Sequence, residues 1–343
     1  MLLLSWSNSR RCLNSLLFLF VGPLLALVVD AQPAKAHKVL LLMGSRFEFT
    51  ALAETDTAAW MAVEAGIDEV RRIEQLISSW DARSQTSEIN RQAGLQAVRV
   101  DPELYSLINR ALKVSALTQG AFDISFASME RLYLFDQGEH ELPDSQRVAR
   151  AREAVNYRHI ALDAQNSSVY LTQKGMRIGF GAIGKGYAAN RAAAIMKNMK
   201  GVQGGVVNAS GDLLSWGKSD QPEGWQISIA DPINPDHILG WLTANDMAVV
   251  TSGNYEKFFT SNGVRYAHII DPRSGYPTIG MRSVTVLCPD AELADALATS
   301  LFVLGVSEGM ALVNQLNFVE CLMVDDEGKM HLSNNLQLNT PQE

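Results

Sequence analysis

The sequence predicts a mixed α+β fold, and the order of its segments along the chain is the reason. A strand-like segment (38–54) is followed by helical segments, and a run of short strand-like segments then lies between two further helices. A doubly wound parallel sheet would instead alternate strands with helices throughout. Of the 343 residues, 47% are apolar and 19% are charged, which is typical of a globular protein that buries a core.

The helices are predicted from apolar spacing and from the signals at their ends. Asp101 can cap the second helix, Pro102 suits its first turn, and Gly120 lies just past its end. The third helix is rich in alanine and also stops at a glycine. The predicted helices span 56–80, 101–120, 184–201 and 290–305.

The strands predicted after the third helix are short and are separated by Gly, Pro and Asn. They are "GGVVNAS", "LLSWG", "GWQISIA", "AVVTSG", "YAHIIDP" and "RSVTVLC". Residues 136–152 are charged and rich in turn-forming residues, which predicts a surface linker.

The first 36 residues are predicted to be a signal peptide, which leaves 37–343 as a single domain. Two arginines precede an apolar run from Leu16 to Val29, and Ala34-Lys35-Ala36 is an A-x-A cleavage candidate. An uncleaved membrane anchor is the alternative, but the run is short for a spanning helix. We therefore expect a periplasmic protein. The Arg10-Arg11 pair leaves open whether export follows the twin-arginine or the general secretory route.

Charge and cysteine content narrow the class of protein further. The net charge of −8 argues against nonspecific nucleic-acid binding, which needs a basic surface. Cys288 and Cys321 lie in apolar, strand-like runs, so buried free thiols are favoured. An oxidising compartment would nevertheless permit a disulfide between them.

Segment 177–190, "RIGFGAIGKGYAAN", resembles a phosphate-binding P-loop without completing it. Gly179 is followed at P-loop spacing by Gly184-Lys185, but Gly186 stands where a P-loop needs a hydroxyl for Mg²⁺. Glycines before a helix N-terminus, with a lysine beside it, favour phosphate binding. A tight turn with a solvated lysine is the competing interpretation.

Asp295 and Thr299 are spaced i,i+4 on the fourth helix, so they share one helix face. A carboxylate and a hydroxyl so placed can hold a hard cation such as Mg²⁺. Alternatively, Asp295 interacts with the helix dipole and Thr299 bonds to its own backbone.

Two further polar residues stand in turn-like segments. His268 in "AHIIDPRSGYP" could be a general base or a phosphate contact, although the segment could simply close a turn. Asp123 in "GAFDIS" could equally cap a helix or accept hydrogen bonds from nearby amides.

In this order and spacing, these segments resemble the ApbE family, the FAD:protein FMN transferases. The resemblance runs from Met43-Gly44 to about Gly305, which is nearly the whole chain after the leader. The matching segments are "MGSRFEF", "RIEQLISSWDARSQTSEIN", "GAFDIS", "GAIGKGYAAN", "NASGDLLSWG", "VVTSGNYEKFF", "HIIDPRSGYP" and "SVTVLCPDAELADALATSLFVLG".

The resemblance implies an ApbE-like fold with the flavin site between sub-domains. It also implies an enzyme that splits the pyrophosphate of FAD, releases AMP and transfers FMN through its phosphate to a Thr or Ser hydroxyl. FAD is then the substrate and Mg²⁺ the cofactor. The implied partner is an acceptor flavoprotein of an exported or membrane-bound electron-transfer system. The protein would contact the membrane only through its leader or through this acceptor.

Individual residue roles are also implied by the resemblance. The Ala182 carbonyl, the Asp295 carboxylate and Thr299 match the family's metal ligands. Lys185 would contact the flavin nucleotide, and His268 is the candidate for activating the acceptor hydroxyl. His268, Lys185 and Asp295 are therefore the predicted catalytic residues. The positions that match the FAD pocket are Met43, Trp80, Ala121, Phe122, Asp123, Lys185 and Ile270.

Three positions depart from the family pattern. Gly179 stands where Asp or Glu often contacts FAD, Ser210 replaces the first Gly of a Gly-Gly-Asp, and Asn254 replaces a common Asp. Two alternatives to the transferase remain open. One is an FAD pyrophosphatase that gives FMN and AMP because water replaces the acceptor hydroxyl. The other is a non-catalytic flavin carrier or assembly factor, which the loss of the acid at Gly179 supports.

Overall fold

The computed structural model describes residues 32–129, 132–234, 236–255 and 257–340. The predicted signal peptide lies outside them, apart from its last five residues, 32–36. The helices in the described part are α1 (Asp56–Ile77), α2 (Gln85–Arg91), α3 (Pro102–Leu117), α4 (Ser145–Arg152), α5 (Gly184–Lys197) and α6 (Ala291–Val313).

The strands found in those same ranges are two to nine residues long, and most of them follow α5. They are β1 (Ala34–Leu42), β2 (Ser45–Ala53), β3 (Val98–Arg99), β4 (Ile160–Asp163), β5 (Ser168–Leu171), β6 (Val202–Ala209), β7 (Asp212–Gly217), β8 (Gln226–Ala230), β9 (Ile238–Thr243), β10 (Met247–Gly253), β11 (Phe258–Ser261), β12 (Val264–Ala267), β13 (Met281–Cys288), β14 (Glu320–Asp325) and β15 (Met330–Leu332).

The main layer is an eight-stranded sheet with the order β1-β2-β6-β7-β10-β13-β14-β15, in which every neighbouring pair is antiparallel. Helix α5 packs against both α1 and α6, and the three helices cover one face of this sheet. Phe47 and Phe49 are two residues apart on β2, so their side chains share one face. Both point to the helical layer and are fully buried. The predicted α+β class is therefore confirmed.

The described structure contains two helices that the sequence did not predict, α2 and α4, and it breaks another helix at the glycine where that helix was expected to end. Residues 136–152 were expected to form a linker, but they include α4, where the Asp144 side chain accepts the Arg147 N–H at 2.9 Å. Val148 is the one buried residue of α4, so the apolar pattern that identifies a helix is nearly missing. Helix α6 breaks at Gly305, as expected, because its φ of 74° and ψ of −179° are not helical, and a second helical stretch then runs to Val313.

Strand β1 contains the predicted cleavage sequence. Ala36 is fully buried and pairs with Ala51 of β2, and the Lys35 ammonium lies 2.7 Å from the Asp220 carboxylate. A boundary after Ala36 would therefore fall inside an ordered strand of the main sheet.

Cys288 and Cys321 are free, buried thiols, as predicted. Burial raises the pKa of Cys288 to about 11 and that of Cys321 to about 12, so both stay protonated at neutral pH.

Helix α6 is long and apolar enough to cross a membrane by length and composition alone. Half of its most apolar 18-residue window is buried inside the protein, as in the core helix of a soluble domain. Its apolar character is therefore weak evidence for a membrane span.

Candidate functional site

A cavity of about 960 Å³ lies at one end of the main sheet. The β1–β2 turn, the β6–β7 turn and the end of β10 meet there with the N-terminus of α5 and the middle of α6. Every site residue predicted from the sequence lines this one cavity: Met43, Trp80, Ala121, Phe122, Asp123, Ala182, Lys185, His268, Ile270, Asp295 and Thr299. We expected the site between sub-domains, but Pro33–Glu343 forms one compact unit and the cavity lies within it.

Two tight local structures bring Met43 and Trp80 to the cavity. Leu42 pairs with Ser45, so Met43 and Gly44 form a two-residue hairpin loop with φ values of 51° and 69°. Positive φ at both positions is typical of a type I′ turn, which matches the twist of the strands. Trp80 follows the end of α1 and is 74% exposed, so its indole is available to stack on a planar ligand.

The close packing of α5 on α6 explains why residue 186 is glycine. A Cβ atom at Gly186 would lie 2.1 Å from the Ala291 carbonyl oxygen, so no serine or threonine fits there. The Gly186 N–H donates instead to the Asp295 carboxylate at 3.0 Å. Asp295 of α6 thus satisfies a first-turn amide of α5, whose own N-cap residue, Ile183, supplies no side-chain acceptor. The P-loop hydroxyl is absent because two helices touch at that point.

Two buried carboxylates, Asp212 and Asp295, lie at this helix end, and Lys185 pairs with the first of them. Its ammonium forms an ion pair with Asp212, the first residue of β7, which is fully buried next to the β6–β7 turn. Burial and the neighbouring negative charge of Asp295 raise the pKa of Asp212 well above its usual range. Two acidic groups and one lysine leave this corner with excess negative charge when both acids are ionised.

The donor atoms in this corner fit a hard divalent cation. Asp212 Oδ1 is buried and has no hydrogen-bond partner within the described structure, and the Thr299 hydroxyl lies 3.5 Å from that of Ser252. Carboxylate, hydroxyl and carbonyl oxygens are the ligands that Mg²⁺ prefers. The described residues include no group of three or more His, Cys, Asp or Glu suited to a metal. A cation here would therefore also need oxygens such as those of Thr299 and Ala182.

His268 stands just after β12 in the wall of the cavity. Its backbone N–H donates to the Lys257 carbonyl at 3.0 Å, and its Nδ1 lies 3.2 Å from the same oxygen. Because a carbonyl only accepts, Nδ1 carries the ring proton and Nε2 keeps its lone pair. Phe135 packs edge-on against the imidazole, with ring centroids 6.4 Å apart.

The environment of His268 keeps it neutral. Burial, together with the positive charges of Lys257 and Lys185, lowers the pKa of His268 to about 4. The ring is therefore uncharged at neutral pH and can accept a proton at Nε2.

The Asp123 carboxylate is occupied by the protein itself. One oxygen accepts the Ser125 N–H at 2.8 Å and the Ser125 hydroxyl at 2.6 Å, and the other accepts the Tyr157 N–H at 2.7 Å. Asp123 was predicted to bind the cofactor. These bonds hold the segment around Asp123 in place. The adjacent buried residues Ala121 and Phe122 also line the cavity.

The three departures from the family pattern occupy different places. Gly179 and Ser210 line the cavity, and Ser210 has a φ of 57° in the β6–β7 turn. Asn254 is buried outside the cavity lining, and its side-chain amide donates to the Met281 carbonyl at 2.9 Å. An ionised aspartate could not donate that bond, so the asparagine contributes a hydrogen bond in the protein interior.

Sequence reasoning missed Asp212, Lys257 and Ser252 as parts of this site. All three lie in quoted segments, but nothing in the local spacing links Asp212 to Lys185 or Ser252 to Thr299. Their proximity to Lys185 and Thr299 arises only when the strands pair in the observed order.

Comparison with known proteins gives consistent likenesses over most of the chain. The profile of the ApbE family matches residues 43–323. An FAD:protein FMN transferase of Klebsiella pneumoniae (strain 342) is 34% identical over 267 residues, which is 77% of this chain and 82% of that protein. An FAD:protein FMN transferase of Treponema pallidum (strain Nichols) is 31% identical over 294 residues, covering 79% and 80% respectively.

Solved structures agree with the sequence comparison. The ApbE protein of Thermotoga maritima is 30% identical, has a TM-score of 0.79 and covers 88% of this chain and 97% of its own. The apo flavinyl transferase ApbE of Pseudomonas stutzeri has a TM-score of 0.78, covers 88% of this chain and 96% of its own and, at 24% identity, supports the fold alone. The expected ApbE-like fold is thereby confirmed.

Proposed function

This chain belongs to the ApbE family, and from that premise we propose that it is an FAD:protein FMN transferase. The observation that carries the proposal is the convergence of Lys185, Asp295, Thr299 and His268 on one cavity. At about 960 Å³ the cavity is large enough for a dinucleotide, since small-molecule sites commonly span roughly 300–1,000 Å³.

The proposed reaction is a transfer to a hydroxyl of an acceptor protein. The Thr or Ser oxygen forms a bond to the phosphorus of the FMN half of FAD. The bond from that phosphorus to the bridging oxygen breaks, and AMP leaves with the electron pair. The hydroxyl proton passes to Nε2 of His268, the ring nitrogen with a free lone pair. The product is FMN joined to the acceptor by a phosphoester bond.

The other residues of the cavity bind and orient the substrate. Lys185, at the N-terminus of α5, is suited to a phosphate oxygen, and Trp80 is suited to a flat ring. The Asp295 carboxylate, the Thr299 hydroxyl and the Ala182 carbonyl would hold Mg²⁺. When bound, Mg²⁺ would neutralise charge on the pyrophosphate.

The test is to incubate the protein with FAD, Mg²⁺ and a candidate acceptor that has an accessible Thr, while AMP release and acceptor mass are followed together. We expect AMP and an FMN-sized mass gain on the acceptor, and neither when EDTA removes the metal. AMP release without a mass gain on the acceptor, and equal AMP release when no acceptor protein is added, would favour an FAD pyrophosphatase. FAD binding without AMP would contradict the transferase and favour a flavin carrier.

We further propose that the protein is exported and that the leader is cleaved before Ala34. Cleavage after Ala36 would remove the first three residues of β1, including the buried Ala36. N-terminal sequencing of the exported protein is expected to find a first residue at or before Ala34. A mature chain beginning at His37 would contradict this boundary, and a chain retained with Met1 would contradict cleavage.

A further inference from the structure

We propose that Lys257 is a further catalytic residue, which binds the phosphate of the FMN half of FAD beside His268. The proposal rests on the flavin transfer proposed above. It adds Lys257 to Lys185 as a second lysine that binds the phosphates of FAD. Three observations carry it: the register of the β11–β12 hairpin, the distribution of charge in the cavity, and the position that the attacking hydroxyl must take.

The hairpin register brings Lys257 and His268 side by side. Phe258 of β11 pairs with Ala267 of β12, and the His268 N–H donates to the Lys257 carbonyl, so the antiparallel ladder continues for one more pair. Residues directly opposite each other on antiparallel strands project to the same face. Both side chains accordingly line the cavity.

The charge distribution leaves Lys257 available for an anion. Asp212 forms an ion pair with Lys185, Asp295 accepts the Gly186 N–H, and the Asp123 carboxylate is bonded within its own wall. Among the residues that the structure describes, no carboxylate lies within ion-pair distance of the Lys257 ammonium. Lys257 is exposed to solvent, as a surface lysine is, but it also lines the cavity.

The position of His268 determines what Lys257 can reach. A general base must lie within hydrogen-bond reach of the hydroxyl that it deprotonates, and that oxygen is the one that bonds to phosphorus. Lys257 lies opposite His268, one pair beyond the β11–β12 ladder. Its ammonium is therefore close to the phosphate oxygens, on which negative charge is spread during transfer. The positive charge of Lys185, on α5, also acts on this imidazole and, together with the charge of Lys257, lowers the pKa of His268.

The experiment compares Lys257→Gln and Lys257→Arg with Lys113→Gln, which changes an exposed lysine of α3. We measure kcat and KM for AMP release from pH 4 to 8, FAD affinity by flavin fluorescence, and thermal unfolding. Lys257→Gln should lower kcat about 100-fold and weaken FAD binding about 10-fold, with unchanged unfolding. Lys257→Arg should recover most of the activity, because it restores the charge.

The pH profile separates this role from a structural one. The charged groups that act on the pKa of His268 are Lys257 and Lys185, and Phe135 packs against the ring. Removing the Lys257 charge raises the pKa of His268, so the acidic limb of the kcat/KM profile should move to higher pH. A Lys257→Gln variant with the wild-type kcat, FAD affinity and pH profile overturns the proposal. If the wild type itself releases no AMP, the transferase proposal fails, and unchanged FAD affinity in Lys257→Gln then overturns this inference separately.

Discussion

Replacing Asp295 by Asn is expected to lower AMP release by about 1,000-fold and to leave the fold intact. The asparagine keeps an oxygen that can accept the Gly186 N–H, so the contact between α5 and α6 survives. It removes the negative charge that a divalent cation needs. The measurements are AMP release against Mg²⁺ concentration, Mn²⁺ binding by calorimetry, and thermal unfolding.

The matched control is Glu308→Gln, because it changes an exposed acid of the same helix outside the cavity lining. It should behave as the wild type in all three measurements. Asp295→Ala is a less specific variant, since it also leaves the buried Gly186 N–H without its acceptor at a cost of about 1–3 kcal/mol. Wild-type Mn²⁺ affinity and wild-type AMP release in Asp295→Asn would contradict the metal assignment.

Replacing Gly186 by Ala is expected to destabilise the protein by about 3 kcal/mol or more and to abolish activity. The added Cβ would lie 2.1 Å from the Ala291 carbonyl oxygen and 2.8 Å from Asp295 Cβ. Both are fixed parts of α6, so the two helices must separate. Asp295 would then move away from the N-terminus of α5, where its carboxylate accepts the Gly186 N–H and Lys185 is the neighbouring residue. Denaturant unfolding measures the first effect, and AMP release measures the second.

Gly181→Ala is the control for this prediction. Gly181 belongs to the same glycine-rich segment and lines the cavity, but a Cβ there would meet nothing within 4 Å. Its free energy of unfolding should change by less than about 0.5 kcal/mol. Equal unfolding midpoints for the Gly186→Ala and wild-type proteins would show that α5 and α6 do not pack as described.

Much of the fold follows from local signals in the sequence. The apolar spacing of α1 and the Asp101-Pro102 start of α3 predicted helices that the structure contains. Helix α4 was missed because it buries almost nothing. The first helical stretch of α6 ends at Gly305 as the glycine indicated, but the second stretch, which runs to Val313, was not predicted. Local signals report which backbone conformation is favoured, and they fail where tertiary contacts override that preference.

The sequence alone determined which residues could carry the chemistry: a lysine at a glycine-rich helix start, an acid and a hydroxyl one helical turn apart, and a histidine before a turn. Residue type and near spacing are sufficient for that. Only the tertiary structure decided that these groups share one cavity, that Asp212 joins them, and that Gly186 is imposed by contact with Ala291. Asp212 follows Lys185 by 27 residues and Asp295 follows Gly186 by 109. Contacts over such separations depend on strand order and helix packing, which no local pattern encodes.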